Sequence, residues 1–405
     1  IQEKYWDCSF FWLSVSICIL TRKKQNLNPC LKFSRAGVRH RLFFSRLFVN
    51  ILYYITGHGY GHAVRAIEII KSLLNYSDIH HIYVRSTAPR WLFEPDMQNR
   101  IFYVERELDF GCIQSNSFYI DKQQTLEQYS RLLEIKRSLI DQETDFIHSH
   151  KIGLILSDIT PFAFDAAHQA GAKAIAIGNF AWDWIYAQWL DEFPKYDYVV
   201  DDIRRSYSKA KQLFRLPFYG DMCAFPSIAD TPLVGRKSNL PPESVRNQIN
   251  KETGRDVNLV FLGLRASDLK EINWNSIQCL QQYAFVSQNR DIKGSGIINL
   301  SQSYEFYDLL SACDAVITKP GYSMVSEVII NKVPTLYVPR YDNIEDQPLI
   351  KGLKDYSVCK ELPYSEFIRG NWRPFLDTLL SKPQNWPPIP CNGASFIAES
   401  IMEGV

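Results

Sequence analysis

The sequence predicts an α/β protein of two halves, each built on a mostly parallel sheet with helices on both faces. Three observations predict it. Strand-length apolar runs alternate with stretches of helical periodicity over 51–186 and again over 257–355. A stretch of Pro, Gly and mixed charge, from Pro217 to about 255, separates the two series. Each series also carries one glycine-containing turn between a strand and a helix, at 56–62 and at 318–327. Halves of this kind face each other across a cleft, and ligands of open α/β sheets bind beyond the carboxyl ends of the strands, where both turns lie. With 405 residues the chain accommodates two domains. The boundaries read from these breaks are an N-terminal domain over 51–218, a linker over 219–256 and a C-terminal domain with terminal helices over 257–405.

Taken in order, 51–55 is an apolar run and reads as a buried strand. Val64, Ile67, Ile70, Leu73 and Leu74 recur at helical spacing, so 63–74 is a helix. Residues 81–84 and 101–104 are strands, and 125–139 is an amphipathic helix. A strand over 154–156 ends at Ser157-Asp158, a helix covers 162–170, and 174–177 is the next strand. An aromatic segment follows, with Trp182, Trp184 and Trp189; such residues serve as core or as a sugar-stacking platform. In the second series 257–262 is a strand ending in Gly263-Leu264-Arg265. Residues 283–286, 297–300, 315–318 and 335–338 are further strands. Helices are expected over 303–312, from Pro320-Gly321 to about 331, and over 348–355.

Residues 1–50 differ from the rest. They hold nine Lys/Arg and two acids, leaving 36 basic and 42 acidic residues for the remainder, a net charge of −6 against +1 for the whole chain. The body has no basic surplus, which argues against nucleic acid as a partner. The apolar run 8–20 is short for a membrane span, and 21–50 has no acid and several Arg, as transit peptides do. The stretch reads as a leader or a non-native, disordered extension; membrane association or organelle targeting through it stays open. Nine cysteines without a C-x-x-C pair point to reduced thiols and a cytoplasmic setting.

The turn Thr56-Gly57-His58-Gly59-Tyr60-Gly61-His62 carries the most chemistry. Gly59 and Gly61 let the backbone turn tightly into a helix whose exposed N–H groups attract anions. An imidazole there takes a proton near pH 7 and suits general-base catalysis. His62 faces the cleft at the helix start and is the expected base; His58 is a second catalytic candidate or only a partner of the turn. A dinucleotide fingerprint fits poorly, because the spacing is G-x-G-x-G and the second strand ends in Arg85-Ser86 without an acid; Arg85 would suit a 2′-phosphate. No phosphate loop of the G-x-x-x-x-G-K-[ST] type occurs. A metal held by His58 and His62 lacks a neighbouring Glu or Cys at ligand spacing. Asp158 either orients His62, binds a hydroxyl, or caps the next helix.

The second turn is Thr318-Lys319-Pro320-Gly321-Tyr322-Ser323-Met324-Val325-Ser326-Glu327. Pro320 near the first helical position and Gly321 allow close approach of a phosphate, and Ser323 with the helix start can donate to it. Glu327 suits a ribose diol; its spacing of four from Ser323 departs from a capping box, which wants three. Lys319 has either a structural or a phosphate role. Asp346-Gln347 suit sugar hydroxyls, although an acid at a helix start is also an ordinary dipole partner. Arg265 either neutralises a diphosphate or is a surface residue.

Together these residues resemble the GT-B glycosyltransferases of the family 28 type. The glycine-rich first loop of that family ends in a histidine matching His62, its donor helix matches Lys319–Glu327, and its sugar-contacting glutamine matches Gln347. The resemblance is closer still to the glycosyltransferase-like N-terminal region of L-arabinokinases, through 54–65, 157–170, 179–186, 214–225, 319–327 and 337–348. It covers 51 to about 380. It implies two Rossmann-like domains, and inverting transfer of a sugar from a nucleotide diphosphate sugar, UDP-linked by expectation, to an unidentified acceptor hydroxyl. His62 would be the base, Gly321, Tyr322, Ser323 and Met324 would hold the diphosphate, Glu327 the ribose, and Asp346 and Gln347 the sugar, with no metal or other cofactor. Two departures stand out. The sugar-kinase half is not in the sequence, so kinase activity is not expected, and the turn after the first strand of the second half is reduced to Gly263-Leu264-Arg265. Two other readings stay open: a nucleotide-sugar-binding module without catalysis, and a nucleotide-sugar epimerase.

Overall fold

Ile51, Leu52, Tyr53, Tyr54 and Ile55 are buried on both faces, as a central parallel strand requires. They form most of β1 (Val49–Ile55). The computed structural model describes residues 49–93, 99–254, 256–277, 280–288, 296–298, 300 and 304–404. The leader reading for 1–50 therefore lies, but for its last two residues, outside the described residues, as do position 299 of an expected strand and position 303 of an expected helix.

After β1 come α1 (Tyr60–Leu74), β2 (Ile79–Ser86) and β3 (Ile101–Glu105). A short antiparallel hairpin of β4 (Gln114–Asn116) and β5 (Tyr119–Ile120) leads into α2 (Lys122–Ser149). The half continues with β6 (Ile152–Asp158), α3 (Phe162–Ala170), β7 (Lys173–Gly178), α4 (Trp182–Ala187), α5 (Asp197–Tyr207), β8 (Gln212–Arg215) and β9 (Ile228–Asp230). These strands make one parallel sheet in the order β3-β2-β1-β6-β7-β8-β9. The second half runs α6 (Pro242–Thr253), β10 (Asn258–Gly263), α7 (Ala266–Leu269), α8 (Trp274–Ile277), β11 (Tyr283–Val286), β12 (Ile297–Ile298), α9 (Phe306–Ser311), β13 (Ala315–Thr318) and α10 (Tyr322–Asn331). It ends with β14 (Thr335–Tyr337), α11 (Asp346–Tyr356), β15 (Cys359–Glu361), α12 (Tyr364–Arg369), α13 (Arg373–Leu380) and α14 (Gly393–Gly404). Its parallel sheet has the order β12-β11-β10-β13-β14-β15.

Both sheets reverse their strand order at one point, between β1 and β6 and between β10 and β13. Such switch points open a crevice at the carboxyl edge because the connections leave to opposite sides. The histidine turn follows β1 and Asp158 ends β6. Arg265 follows β10 and Lys319-Pro320-Gly321 follows β13. The two turns singled out in the sequence thus sit at the two switch points.

Several boundaries differ from those expected. The stretch 219–256 is not a plain linker: β9 is the edge strand of the first sheet and α6 packs against α9 of the second half. A three-residue edge strand such as Ile228-Ala229-Asp230 leaves no apolar run to read, and among the described side chains of α6 Val245 and Ile249 are the buried ones. The helix expected over 125–139 extends to the 28 residues of α2, beginning where Asp121 accepts from the Gln124 N–H as N-cap. The chain end does not stay with the second half, because α14 packs on α1, with Ile397, Ala398 and Ile401 buried in the core that holds Ile69 and Ile70. This explains why α1 is buried well beyond one stripe.

The β4–β5 hairpin also crosses between halves. Phe118 is 1% exposed and lies in the apolar cluster of β10, β11 and α12. The Ser117 N–H donates to Asp268 Oδ1 at 2.9 Å, and the Tyr341 N–H donates to the Phe118 carbonyl at 3.3 Å. Tyr119 stacks on Tyr341 with ring centroids 5.4 Å apart. Among the described residues no helix is long and apolar enough to cross a membrane.

Candidate active site

α1 starts without a side-chain cap. Its N-cap is Gly59, at φ +77°, a conformation that L side chains rarely adopt. His62 lies in the first turn and is 8% exposed. Its Nδ1 stands 2.8 Å from Asp158 Oδ1. Asp158 is fully buried and also receives Arg65, Nε to Oδ2 at 2.7 Å and a terminal nitrogen to Oδ1 at 2.6 Å. Burial alone would raise the Asp158 carboxyl, but Arg65 and His62 more than offset it and hold it below the usual range. A terminal nitrogen of Arg65 also stands 3.0 Å from His62 Nδ1. Because an ionised carboxylate only accepts, the closer contact to Asp158 Oδ1 is made with the His62 proton on Nδ1, which leaves Nε2 its lone pair. Asp158 thus orients His62. The cap position of α3 is Pro161.

His58 is arranged differently. Its Nδ1 accepts the Cys112 N–H at 3.3 Å, and its ring meets Trp182 edge-on with centroids 5.7 Å apart. Burial, then the charges of His62 and Lys319, hold its pKa well below the ordinary value. A neutral ring accepting through Nδ1 carries its proton on Nε2, so His58 can donate but is not a base. In this arrangement His58 anchors the loop at Gly111-Cys112 as an acceptor through Nδ1. Below the turn, Thr56 and Thr160 donate to the buried Asp109 at 2.7 and 2.8 Å, joining the ends of β1 and β6. Burial raises the Asp109 carboxyl despite both bonds.

The second half meets this site at α10. Ser323 Oγ donates to the Gly61 carbonyl at 2.6 Å, and a Cβ on Gly61 would come within 3.3 Å of that oxygen. A Cβ on Gly59 would lie 3.0 Å from a terminal nitrogen of Arg265, whose exposed side chain reaches across. The N-cap of α10, Gly321, brings no side-chain cap, and a Cβ added there would meet no atom within 4 Å beyond its chain neighbours. Lys319 stands just before it. Burial, then Arg340 and Arg265, push its amine down to about 7. Arg340 is itself paired, with Glu345 at 3.0 Å and with Asp346. The arrangement is a helix start and three cationic side chains opposite an oriented imidazole, which is where an anionic leaving group and a nucleophilic hydroxyl would meet.

Not every expected site residue is free to act. Both oxygens of Glu327 are taken by Arg236, at 2.6 and 3.3 Å, and the side chain is buried. In this pairing Glu327 ties the segment after β9 to α10. Asp346 accepts the Arg340 backbone N–H at 2.7 Å and its Nε at 2.6 Å, so it shapes the β14–α11 turn and presents no unoccupied carboxylate to a sugar. The Tyr322 hydroxyl accepts the Val234 N–H at 3.1 Å and its ring lies under Arg65, which leaves only its backbone N–H for a ligand. Met324 packs its methyl over Gly263. Gln347 is exposed at the start of α11. Arg85 is 4% exposed, pairs with the buried Glu143 at 3.2 Å and stacks on Phe146, which removes it as a 2′-phosphate ligand. Trp182 and Trp189 are core residues.

Sequence reading missed Arg65, Asp109, Asn179, Arg340 and Glu345. Arg65 carried a signal, since it lies three residues after His62 on the same helix. The others are single polar residues whose neighbours are remote in sequence. An open groove of about 590 Å³ at the amino ends of the second sheet, lined by Asn258, Tyr283, Asp314 and Asp377, lies away from the switch points. Among the described residues no group of three or more His, Cys, Asp or Glu side chains is placed to hold a metal ion.

The family model described as glycosyl transferase family 1 matches residues 49–349. The chain belongs to this family. It is 30% identical to the L-arabinokinase of Arabidopsis thaliana over 87% of this chain and 34% of that protein, so it spans about a third of that relative's length. Among solved structures it is similar to the glycosyltransferase of kitacinnamycin, with a TM-score of 0.59 and 13% identity over 88% of this chain and 99% of the other. It is also similar to UGT89C1 of Arabidopsis thaliana complexed with UDP, with a TM-score of 0.54 and 14% identity over 88% and 93%. These likenesses show the GT-B fold of two Rossmann-like domains. The narrower likeness to family 28 rests on the motif residues.

Proposed function

We propose that the protein transfers a sugar from a UDP-linked donor to an acceptor hydroxyl, with inversion and without a metal. One observation carries this reading: the His62–Asp158 pair stands at one switch point, and the uncapped start of α10 with Lys319 and Arg265 stands at the other, joined at 2.6 Å through Ser323 and Gly61. The acceptor oxygen attacks the anomeric carbon while His62 Nε2 takes its proton. The bond from that carbon to the diphosphate breaks, and the developing charge falls on the α10 N–H groups, Lys319 and Arg265. A single displacement inverts the anomeric centre. The UDP bound by UGT89C1 supports the choice of nucleotide, and family membership supports the reaction class.

His62→Ala tests this. Transfer should fall ~10²–10⁴-fold, the range for loss of a general base, while UDP-sugar binding measured by calorimetry stays within threefold. A wild-type protein that binds UDP-sugars but turns over none across a broad acceptor panel sinks the reading in favour of a binding module. C2 epimerisation of UDP-GlcNAc alone, followed by NMR, would move it to an epimerase.

A further inference from the structure

Arg65 does more than hold Asp158. Its third nitrogen donates to Asn179 Oδ1 at 2.7 Å. Asn179 is fully buried just after β7, and its Nδ2 donates to Glu345 Oε1 at 3.1 Å. Glu345 belongs to the second half, immediately before α11, and its other oxygen receives Arg340 at 3.0 Å. Burial would raise the Glu345 carboxyl, but Arg340 and Asn179 hold it below its ordinary range. The Arg65 guanidinium also lies 5.3 Å from the centre of the Tyr322 ring, the first residue of α10. Every link in the chain His62–Asp158–Arg65–Asn179–Glu345–Arg340 is within hydrogen-bond reach, and it crosses from one half to the other.

We propose that Arg65 and Asn179 are positioning residues that tie the orientation of His62 to the docking of the second half through Glu345. Both Asp158 oxygens lie in the Arg65 fork, so the plane of the guanidinium sets the direction from which Oδ1 meets His62 Nδ1. Asn179 stops that plane from turning. Only one orientation of its amide serves both neighbours, with oxygen toward Arg65 and nitrogen toward Glu345. With the second half withdrawn, Asn179 loses its acceptor and Arg65 its ring, and the fork is free to rotate. The imidazole is therefore held in its proton-accepting form when the halves are docked. The identification of His62 as the base rests on the transferase reading; the hydrogen-bond chain does not.

The experiment reverses the polarity of the central link. Asn179→Asp keeps an acceptor for Arg65 but sets a carboxylate against Glu345. Asn179→Asp with Glu345→Gln restores a donor and an acceptor, now exchanged. Long-range ¹H–¹⁵N spectra of the imidazoles should show His62 protonated at Nδ1 in the wild type, a mixture of tautomers in the single variant and the wild-type form again in the double. Transfer should fall more than tenfold in kcat in the single variant, with donor affinity within threefold, and return to within threefold in the double. Asn179→Ala, which cuts the link without adding charge, should also show mixed tautomers and serves should Asn179→Asp not fold. A wild-type His62 spectrum in the single variants, or a double variant that does not regain it, overturns the proposal. A protein with no turnover defeats the transferase reading while the spectra still decide this one.

Discussion

The turn between β1 and α1 and the turn between β13 and α10 share a backbone plan. Each leaves a central parallel strand at a switch point, each enters its helix through a glycine N-cap, and neither has a side-chain cap or an acid in the first turn. Their neighbours across the switch point differ in sign. Opposite α1 stands the carboxylate of Asp158, and the charges there are paired and buried. Opposite α10 stands Arg265, and burial, then the like charges of Arg340 and Arg265, lowers the proton affinity of Lys319. One local design therefore serves two tasks. An acid behind it makes a proton acceptor of an imidazole, while cations around it make a seat for an anion.

Three substitutions would break or sharpen that contrast. The largest effect is expected from Asp158→Asn. Arg65 donates to both Asp158 oxygens, so an amide sets its NH₂ against one Arg65 nitrogen whichever way it turns; with its oxygen on Arg65 Nε, its NH₂ takes the Oδ1 place and donates to His62 Nδ1, which drives the imidazole proton onto Nε2. We expect kcat to fall ~10²–10⁴-fold and the His62 ¹⁵N signals to report the opposite tautomer. A wild-type kcat in that variant would remove Asp158 from the comparison.

Next is Lys319→Met. The amine is pushed down to about 7, so in the free protein it is charged below that pH and loses its charge above it. UDP-sugar affinity of the wild type should fall as pH rises from 6 to 8.5. The variant should bind about tenfold more weakly at pH 6 and lose most of this dependence, the equivalent of ~1.4 kcal/mol. Calorimetric titrations across pH decide it; an unchanged profile would place the anion elsewhere.

The smallest effect is expected from Ser323→Ala, which removes the bond to the Gly61 carbonyl where the two turns touch. A neutral hydrogen bond contributes ~1 kcal/mol, so transfer should fall about fivefold with no change in donor affinity. A loss confined to donor affinity would show instead that Ser323 contacts the phosphate.

Some of this was legible in order and some was not. β1, α3 and β13 are close to where period and composition put them, because strands buried on both faces read as continuous apolar runs and a helix against a sheet shows its stripe. β9 escaped, since a short edge strand needs no such run. In the site, His62 and Lys319 were visible because glycine or proline turns flag them. The arginine partners of Glu327 and Asp346 were not legible for a physical reason: a carboxylate at a helix start suits a diol and a guanidinium equally, and Arg236 and Arg340 are not identifiable from spacing.

The sequence by itself determined the two α/β series, the two glycine turns at strand ends and the histidine and lysine they carry, because backbone turning and hydrophobic period are local properties. The tertiary structure alone decided which acid orients which histidine, that His58 accepts the Cys112 N–H through Nδ1, and that Asn179, bonded to Arg65, reaches Glu345 166 positions further along the chain. Those assignments depend on distance, burial and the direction of each hydrogen bond, and these come into being only when the two switch points are brought face to face.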